Sequence, residues 1–199
     1  MINLYQGDCM EAMAKMKDNE YDLAIVDPPY GIGISNNPVR QKQDKKGWDN
    51  KTPNKEYFTE LKRVSKNQII WGGNYFLNWL NSSRCFIIWD KKQPEKFSLA
   101  MCEMAWTSFD ANAKIYRRSI HAEQGKIHPT QKPVKLYEWL LMNYAQPNDK
   151  ILDTHGGSMS IALACHNLGF DLDLWELDED YHKAGTKRYN NHILQQKLF

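Results

Sequence analysis

No Cys-x-x-Cys pair occurs in this 199-residue chain, whose four cysteines, Cys9, Cys85, Cys102 and Cys165, are scattered. That spacing suggests neither a disulfide framework nor a zinc site, so the thiols are expected to be reduced. His166 beside Cys165 does not change this: adjacent side chains on a helix diverge by about 100°, no spaced partners accompany them, and no metal is expected. Long apolar runs are missing too. None approaches the 18 or so residues of a membrane span, and Met1-Ile2-Asn3-Leu4-Tyr5 lacks a basic region followed by an apolar stretch. A soluble, untargeted, cytoplasmic protein with no membrane partner is the expectation. Gly-x-Gly-x-x-Gly is absent, as is a Walker lysine after a glycine turn, which removes support for a dinucleotide pyrophosphate cradle or a P-loop. Neither repeats, low-complexity tracts nor linkers interrupt the chain, and a chain of this size buries roughly 70% of its unfolded surface. A single domain over residues 1–199 is therefore expected.

Charge of one sign is also scarce overall but not locally. The net charge is +2, yet between Pro38 and Leu99 thirteen Lys or Arg stand against six Asp or Glu, with Arg40, Lys42, Lys45 and Lys46 leading the segment. Composition alone makes this a solvated loop; chemistry concerning nucleic acid nearby would make it a phosphate-contacting face. Residues 31–55 are rich in Gly, Asn, Pro, Lys and Gln without an apolar period, so a mobile basic loop is expected there, and long loops beside a site are often lids.

What is present is a repeating alternation of strand and helix patterns. Ile2 to Gln6 alternates like a strand, Gly7-Asp8 breaks it, and Cys9 to Met16 reads as a helix. Tyr21 to Val26 is a short apolar run of the kind buried in parallel sheets, completing a βαβ unit with parallel strands. Glu56 to Val64 reads as a helix, and Gln68 to Trp71 and Cys85 to Trp89 as strands, the former leaving through Gly72-Gly73. From residue 94 to 126 the pattern weakens to a small irregular insertion, within which Glu103 to Thr107 and Ala113 to Arg118 are candidate strands. Val134 to Tyr144 has helical spacing behind Pro133. Lys150 to Asp153 as a strand, Met159 to Leu168 as a helix, Leu172 to Glu176 as a strand and Asp180 to His192 as a helix make a second βαβ unit. The fold class is α/β with a mostly parallel sheet.

Chemistry concentrates where these strands end. Asp27-Pro28-Pro29-Tyr30 follows the most apolar strand, and a carboxylate there points into the crevice where open α/β sheets bind ligands, held by a stiff Pro-Pro turn. Asp153, the Gly156-Gly157 turn and Glu176 form the other half: the glycines admit a ligand close to the backbone, and an acid ending the next strand can accept hydrogen bonds from ribose hydroxyls. The spacing fits an adenosine.

Three stretches, Asp27-Pro28-Pro29-Tyr30, His128-Pro129-Thr130-Gln131-Lys132-Pro133 and Asp153-Thr154-His155-Gly156-Gly157-Ser158-Met159-Ser160, resemble the amino-methyltransferase family of DNA methylases, and their order is that of its β-class. Trp71-Gly72-Gly73-Asn74-Tyr75-Phe76 and Trp89-Asp90-Lys91 further resemble small phage-borne members. The resemblance implies a Rossmann-like, circularly permuted S-adenosylmethionine-dependent fold, with DNA as partner and a homodimer left open as the assembly. It implies that Asp27 and the Pro28 carbonyl accept hydrogen bonds from an exocyclic amine, with Pro29 in the turn, and that Tyr30 stacks on a flipped base. It assigns Asp153, His155, Gly157 and Ser158 to the methionine end of the cofactor, Glu176 to the ribose and Asp8 to the adenine side. Asp27 borders the cofactor as well, and Thr130 and Lys132 assist at the methionine carboxylate. One departure stands out: where the family commonly has Asp-Pro-Phe-x-Gly-Ser-Gly-Thr, this chain has Thr154-His155 for Pro-Phe and Met159 for the second glycine. Adenine N6 is the expected target, with cytosine N4 as the alternative and a binding subunit that has lost catalysis as a third possibility.

Overall fold

The layers follow from the two faces of one strand. In the computed structural model, which describes residues 1–33, 49–96, 100–120, 122 and 126–195, Tyr21–Val26 forms strand β2. Its alternate residues Leu23 and Ile25 pack into one apolar cluster while Ala24 and Val26 pack into another. A strand that is apolar on both faces needs cover on both. Helices α3 (Val134–Tyr144) and α4 (Ser160–Leu168) supply Leu136, Leu140, Ile161 and Ala164 to the first cluster. On the opposite side α1 (Cys9–Met13) and α2 (Lys55–Val64) supply Met13, Tyr57, Phe58 and Leu61.

The remaining strands are β1 (Ile2–Gln6), β3 (Ser65–Trp71), β4 (Phe86–Asp90), β5 (Cys102–Thr107), β6 (Lys114–Arg117), β7 (Lys150–Asp153) and β8 (Asp171–Glu176), and the last helix is α5 (Glu179–Leu194). Among the described residues they form one eight-stranded sheet in the order β1-β8-β7-β2-β3-β5-β4-β6. Every pairing is parallel except the two made by β5, so the sheet is mixed and mostly parallel, as expected. Inside the segment 94–126, expected to be an irregular insertion, the two candidate strands Glu103 to Thr107 and Ala113 to Arg118 form β5 and β6 of the sheet. The basic residues Arg40, Lys42, Lys45 and Lys46 lie outside the described residues, with most of the expected 31–55 loop. No helix among the described residues is long and apolar enough to cross a membrane.

β1 and β2 are parallel but not neighbours, because β8 and β7 lie between them. From β2 the chain continues outward to β3, and from β7 it continues the other way to β8. The boundary between β2 and β7 is thus a topological switch point, where a crevice opens at the carboxyl ends of strands. Asp27 follows one of these two strands and Asp153 ends the other. Helix α1 is shorter than its apolar period suggests. Arg63 of α2 donates to the carbonyl oxygens of Met13 and Met16 at 2.7 and 2.9 Å, satisfying acceptors at which the helix stops.

Candidate active site

A cleft of about 570 Å³ opens at the switch point, within the size range of small-molecule sites. Of the residues singled out in the sequence, Asp8, Asp27, Pro29, Thr130, Lys132, His155, Gly157, Ser158 and Glu176 line it. Pro28, Tyr30 and Asp153 do not form its wall. Asp153 sits behind it, 2% exposed, with its carboxylate accepting from the His155 backbone N–H at 2.9 Å. Burial pushes the Asp153 carboxyl up to about 8, overcoming that hydrogen bond.

Each wall has a local cause. Asp8 is the N-cap of α1, its Oδ1 accepting from Met10 N–H at 2.7 Å, which fixes the carboxylate at the end of β1. Glu176 ends β8 and its two carboxylate oxygens accept from the backbone N–H groups of Gly157 at 2.6 Å and Asp178 at 2.8 Å. One side chain therefore ties both turns that border the cleft. Thr154 and His155, which stand where the family carries Pro-Phe, are not left unpaired. The Thr154 hydroxyl lies 2.7 Å from the Tyr57 hydroxyl and 2.9 Å from His155 Nδ1, and the His155 ring meets Tyr57 edge to face. Burial pushes both His155 and His128 down to about 4, in His128 with help from the Lys132 charge, so both rings are neutral near pH 7.

The turn carrying Met159 holds a further departure. Met159 adopts φ +57°, the left-handed region where the family glycine would be at ease, and its side chain is fully buried. Room is made by Gly185 of α5: a Cβ there would lie 2.8 Å from Met159 Cγ and 3.0 Å from its Sδ. Arg188 of the same helix donates to the Ser158 carbonyl at 2.7 Å, holding the turn from outside. Gly185→Ala should therefore lower stability by about 1 kcal/mol, as crowding of 1–3 kcal/mol outweighs the gain in helix propensity. In a Met159→Gly background only the 3.2 Å approach to the Gly157 carbonyl oxygen remains, so the same change should cost less or nothing; denaturant melts of the four proteins in a double-mutant cycle would show this coupling, and additive effects would refute the pairing.

At the other end of the cleft Asp27 is held on both oxygens. The Tyr30 hydroxyl donates to Oδ1 at 2.6 Å, and the Lys132 ammonium donates to Oδ2 at 2.5 Å. Lys132, read from its motif as a contact for a cofactor carboxylate, is 3% exposed and also pairs with Glu103 at 3.0 Å. Glu103 in turn takes Lys91 at 2.6 Å. Burial raises the Asp27 carboxyl above its ordinary range, a rise that Lys132 opposes and Glu103 reinforces. Burial likewise resists ionisation of Glu103, but the charges of Lys132 and Lys91 outweigh it and hold that carboxyl at about 2.

The Tyr30 ring rests on the bare α-carbon of Gly72 and stacks on Tyr75, centroids 5.1 Å apart and planes 14° from parallel. Tyr75 is 46% exposed. Sequence patterns missed Tyr57, Tyr75, Glu103 and Tyr181 as site residues. The first three are brought in by other strands and helices, and Tyr181 packs edge to face on the His128 ring from α5. No cluster of three or more His, Cys, Asp or Glu able to hold a metal ion occurs among the described residues.

Residues 70–187 match the family model for DNA methylase. A putative methylase YubD of Escherichia coli (strain K12) is 27% identical over 207 aligned positions, covering 94% of this chain and 90% of the relative. Among solved structures, the M1.HpyAVI–SAM complex superposes with TM-score 0.67 at 21% identity, over 96% of this chain and 100% of that one. The PvuII cytosine-N4-specific DNA methyltransferase superposes with TM-score 0.69 at 14% identity, over 100% and 88%.

Proposed function

The chain belongs to the DNA methylase family of N6/N4 amino-methyltransferases, and from that premise we propose that it methylates the N6 amine of adenine in DNA by direct transfer to a flipped base. The observation that carries this reading is Asp27 at the switch point, a carboxylate on the wall of the cleft with an aromatic platform next to it. An exocyclic amine conjugated to its ring is a poor nucleophile. Acceptors at Asp27 and at the Pro28 carbonyl draw its nitrogen toward tetrahedral geometry and expose a lone pair. A stacking face comes from the Tyr30–Tyr75 pair, in which Tyr30 lies against Gly72 and Tyr75 is the half-exposed ring, and it offsets part of the few kcal/mol that flipping costs. Tyr75 covers one ring face of Tyr30 in this structure, so it belongs to the same aromatic platform.

The methyl donor is S-adenosylmethionine, and the residues present fit it. Asp8, Asp27, Glu176, Asp178 and Glu179 line the cleft with Lys132 as the lone Lys or Arg among its described lining residues, a balance that suits a cationic ligand. When bound, the donor supplies an electrophilic sulfonium methyl. The chain's own part is to hold it: Glu176 and Asp8 at the nucleoside, Gly157, Ser158 and His155 at the methionine end, with Asp153 behind them and Thr130 at the far wall. Holding amine and methyl in line can supply about 7 to 11 kcal/mol of the barrier.

Product analysis tests the reading: incubation with unmethylated DNA and labelled donor, followed by nucleoside digestion, should yield N6-methyladenine. Label in N4-methylcytosine would favour the second reading, which the resemblance to the cytosine-N4-specific PvuII fold supports. No label in DNA would refute both.

Asp153 gives a pH signature for the cofactor. Its carboxyl takes a proton below about 8 in the free protein, and a bound cation favours the carboxylate. Binding therefore releases a proton below that pH, and donor affinity should rise by up to about tenfold per pH unit from pH 6 toward 8, then level off. Calorimetry across this range should show the slope in the wild type and a flatter one in Asp153→Asn; equal slopes would count against Asp153 as a cofactor residue.

A further inference from the structure

A chain of ion pairs through two buried lysines and a glutamate ends on the Asp27 carboxylate, and two of the three lie outside the motifs that read as catalytic. β5 runs antiparallel to β3 and β4, so its first residues, not its last, reach the carboxyl edge of the sheet. That reversal brings Glu103 to this edge, opposite Trp89 and within reach of Lys132. There it takes Lys91 on Oε1 at 2.6 Å and Lys132 on Oε2 at 3.0 Å, while Lys132 reaches Asp27 at 2.5 Å. Lys91 and Lys132 are both nearly inaccessible to solvent. Four charges in a row are a poor device for stability, because an apolar set of similar volume commonly does as well or better. Their place beside Asp27 offers another reason.

We infer that Glu103 is a positioning residue for methyl transfer: by sharing Lys132 with Asp27 it fixes that ammonium against one carboxylate oxygen and preserves the accepting strength of Asp27 toward the target amine. This role presupposes Asp27 as the amine acceptor proposed above. Without Glu103 the full charge of Lys132 falls on Asp27, weakens it as an acceptor and opposes the positive charge that develops on the amine nitrogen. Lys91 completes the arrangement from the end of β4. It gives Glu103 a second cation, so that Lys132 is not drawn away from Asp27.

The titratable groups facing Asp27 are Lys132 before α3, Tyr30 after β2, Glu103 of β5, Asp153 of β7, Tyr57 of α2 and Tyr137 of α3. Among them Lys132 favours the Asp27 carboxylate and Glu103 favours its protonated form. Glu103→Gln therefore moves Asp27 protonation to lower pH. Lys91→Met lets Glu103 pull Lys132 away and moves it to higher pH.

The test is a pair of pH profiles with opposed shifts. Glu103→Gln should lower kcat roughly 10- to 100-fold with donor Kd within about twofold, as loss of partners that orient a reacting ligand commonly does. Its acidic limb of kcat should move down in pH, that of Lys91→Met should move up, and Glu103→Asp should recover part of the rate. A carbon-13 titration of the Asp27 carboxyl, assigned with Asp27→Asn, should show the same opposed shifts without any turnover. Limbs and carboxyl titrations that stay put in both variants, with wild-type transfer normal, overturn the role of Glu103. A wild type that transfers no methyl group to DNA overturns the acceptor reading and this role with it.

Discussion

Asp27→Asn should lower kcat for methyl transfer by about 10³-fold while donor affinity stays within about threefold, the size of effect seen when a group that stabilises developing charge is removed. Asparagine keeps the shape of the side chain and one acceptor oxygen. That oxygen, however, faces the Lys132 ammonium, whose three N–H donors repel an amide NH2, so the amide orients with oxygen on Lys132 and nitrogen on the Tyr30 hydroxyl. The side left for the target amine then presents a donor where an acceptor is needed. Asp27 is one of five acids on the wall of the donor cleft, so the change removes a single charge there, while the walls at the ends of β1, β7 and β8 keep their places. Single-turnover methylation with calorimetry of donor binding separates the two effects. Near-normal turnover in this variant would remove Asp27 from the mechanism.

The second large effect comes from a residue with no chemistry of its own. Gly72 has φ +69°, and a Cβ added there would lie 2.2 Å from Tyr30 Cε1 and 2.5 Å from its Cδ1. An L-residue pays about 1–2 kcal/mol for the left-handed conformation, and the methyl group must also push the Tyr30 ring off its seat. The ring cannot move without breaking its hydroxyl contact to Asp27 and its stack on Tyr75. Gly72→Ala should therefore lower kcat by about 10²-fold, with a raised KM for DNA and unchanged donor affinity, since displacement of a positioning group by 1 Å can cost that much. Unaltered kcat and KM in a folded Gly72→Ala protein would show that the seat of Tyr30 does not matter.

The carboxyl-end acids were legible because each follows or ends a short strand with few places to put a charge. Asp27, Asp153 and Glu176 stand at such ends, and the crevice lies where those ends meet. The partner of Lys132 was not legible. Its motif names the residue but not the direction of its ammonium, which depends on Glu103 from a strand 29 positions earlier. β5 and β6 were legible only as candidate strands because their apolar alternation is short and partly exposed, and nothing local marks β5 as the one reversed strand among those described. Strand order was hidden too: the β1–α1–β2 unit suggests adjacent strands, but β7 and β8 slot between them late in the chain. The Met159 turn looked like a damaged glycine motif. Its compensation lies 26 residues downstream at Gly185, beyond α4, β8 and the first six residues of α5, where no pattern in the local sequence connects the two.

That compensation also constrains descent. A lineage that gained Met159 while a side chain still occupied position 185 would have passed through a crowded intermediate. One that first opened position 185 would have had only the left-handed backbone to tolerate at 159. The easier order is therefore glycine at 185 first and methionine at 159 second, and relatives with glycine at both positions are the expected survivors of the earlier step.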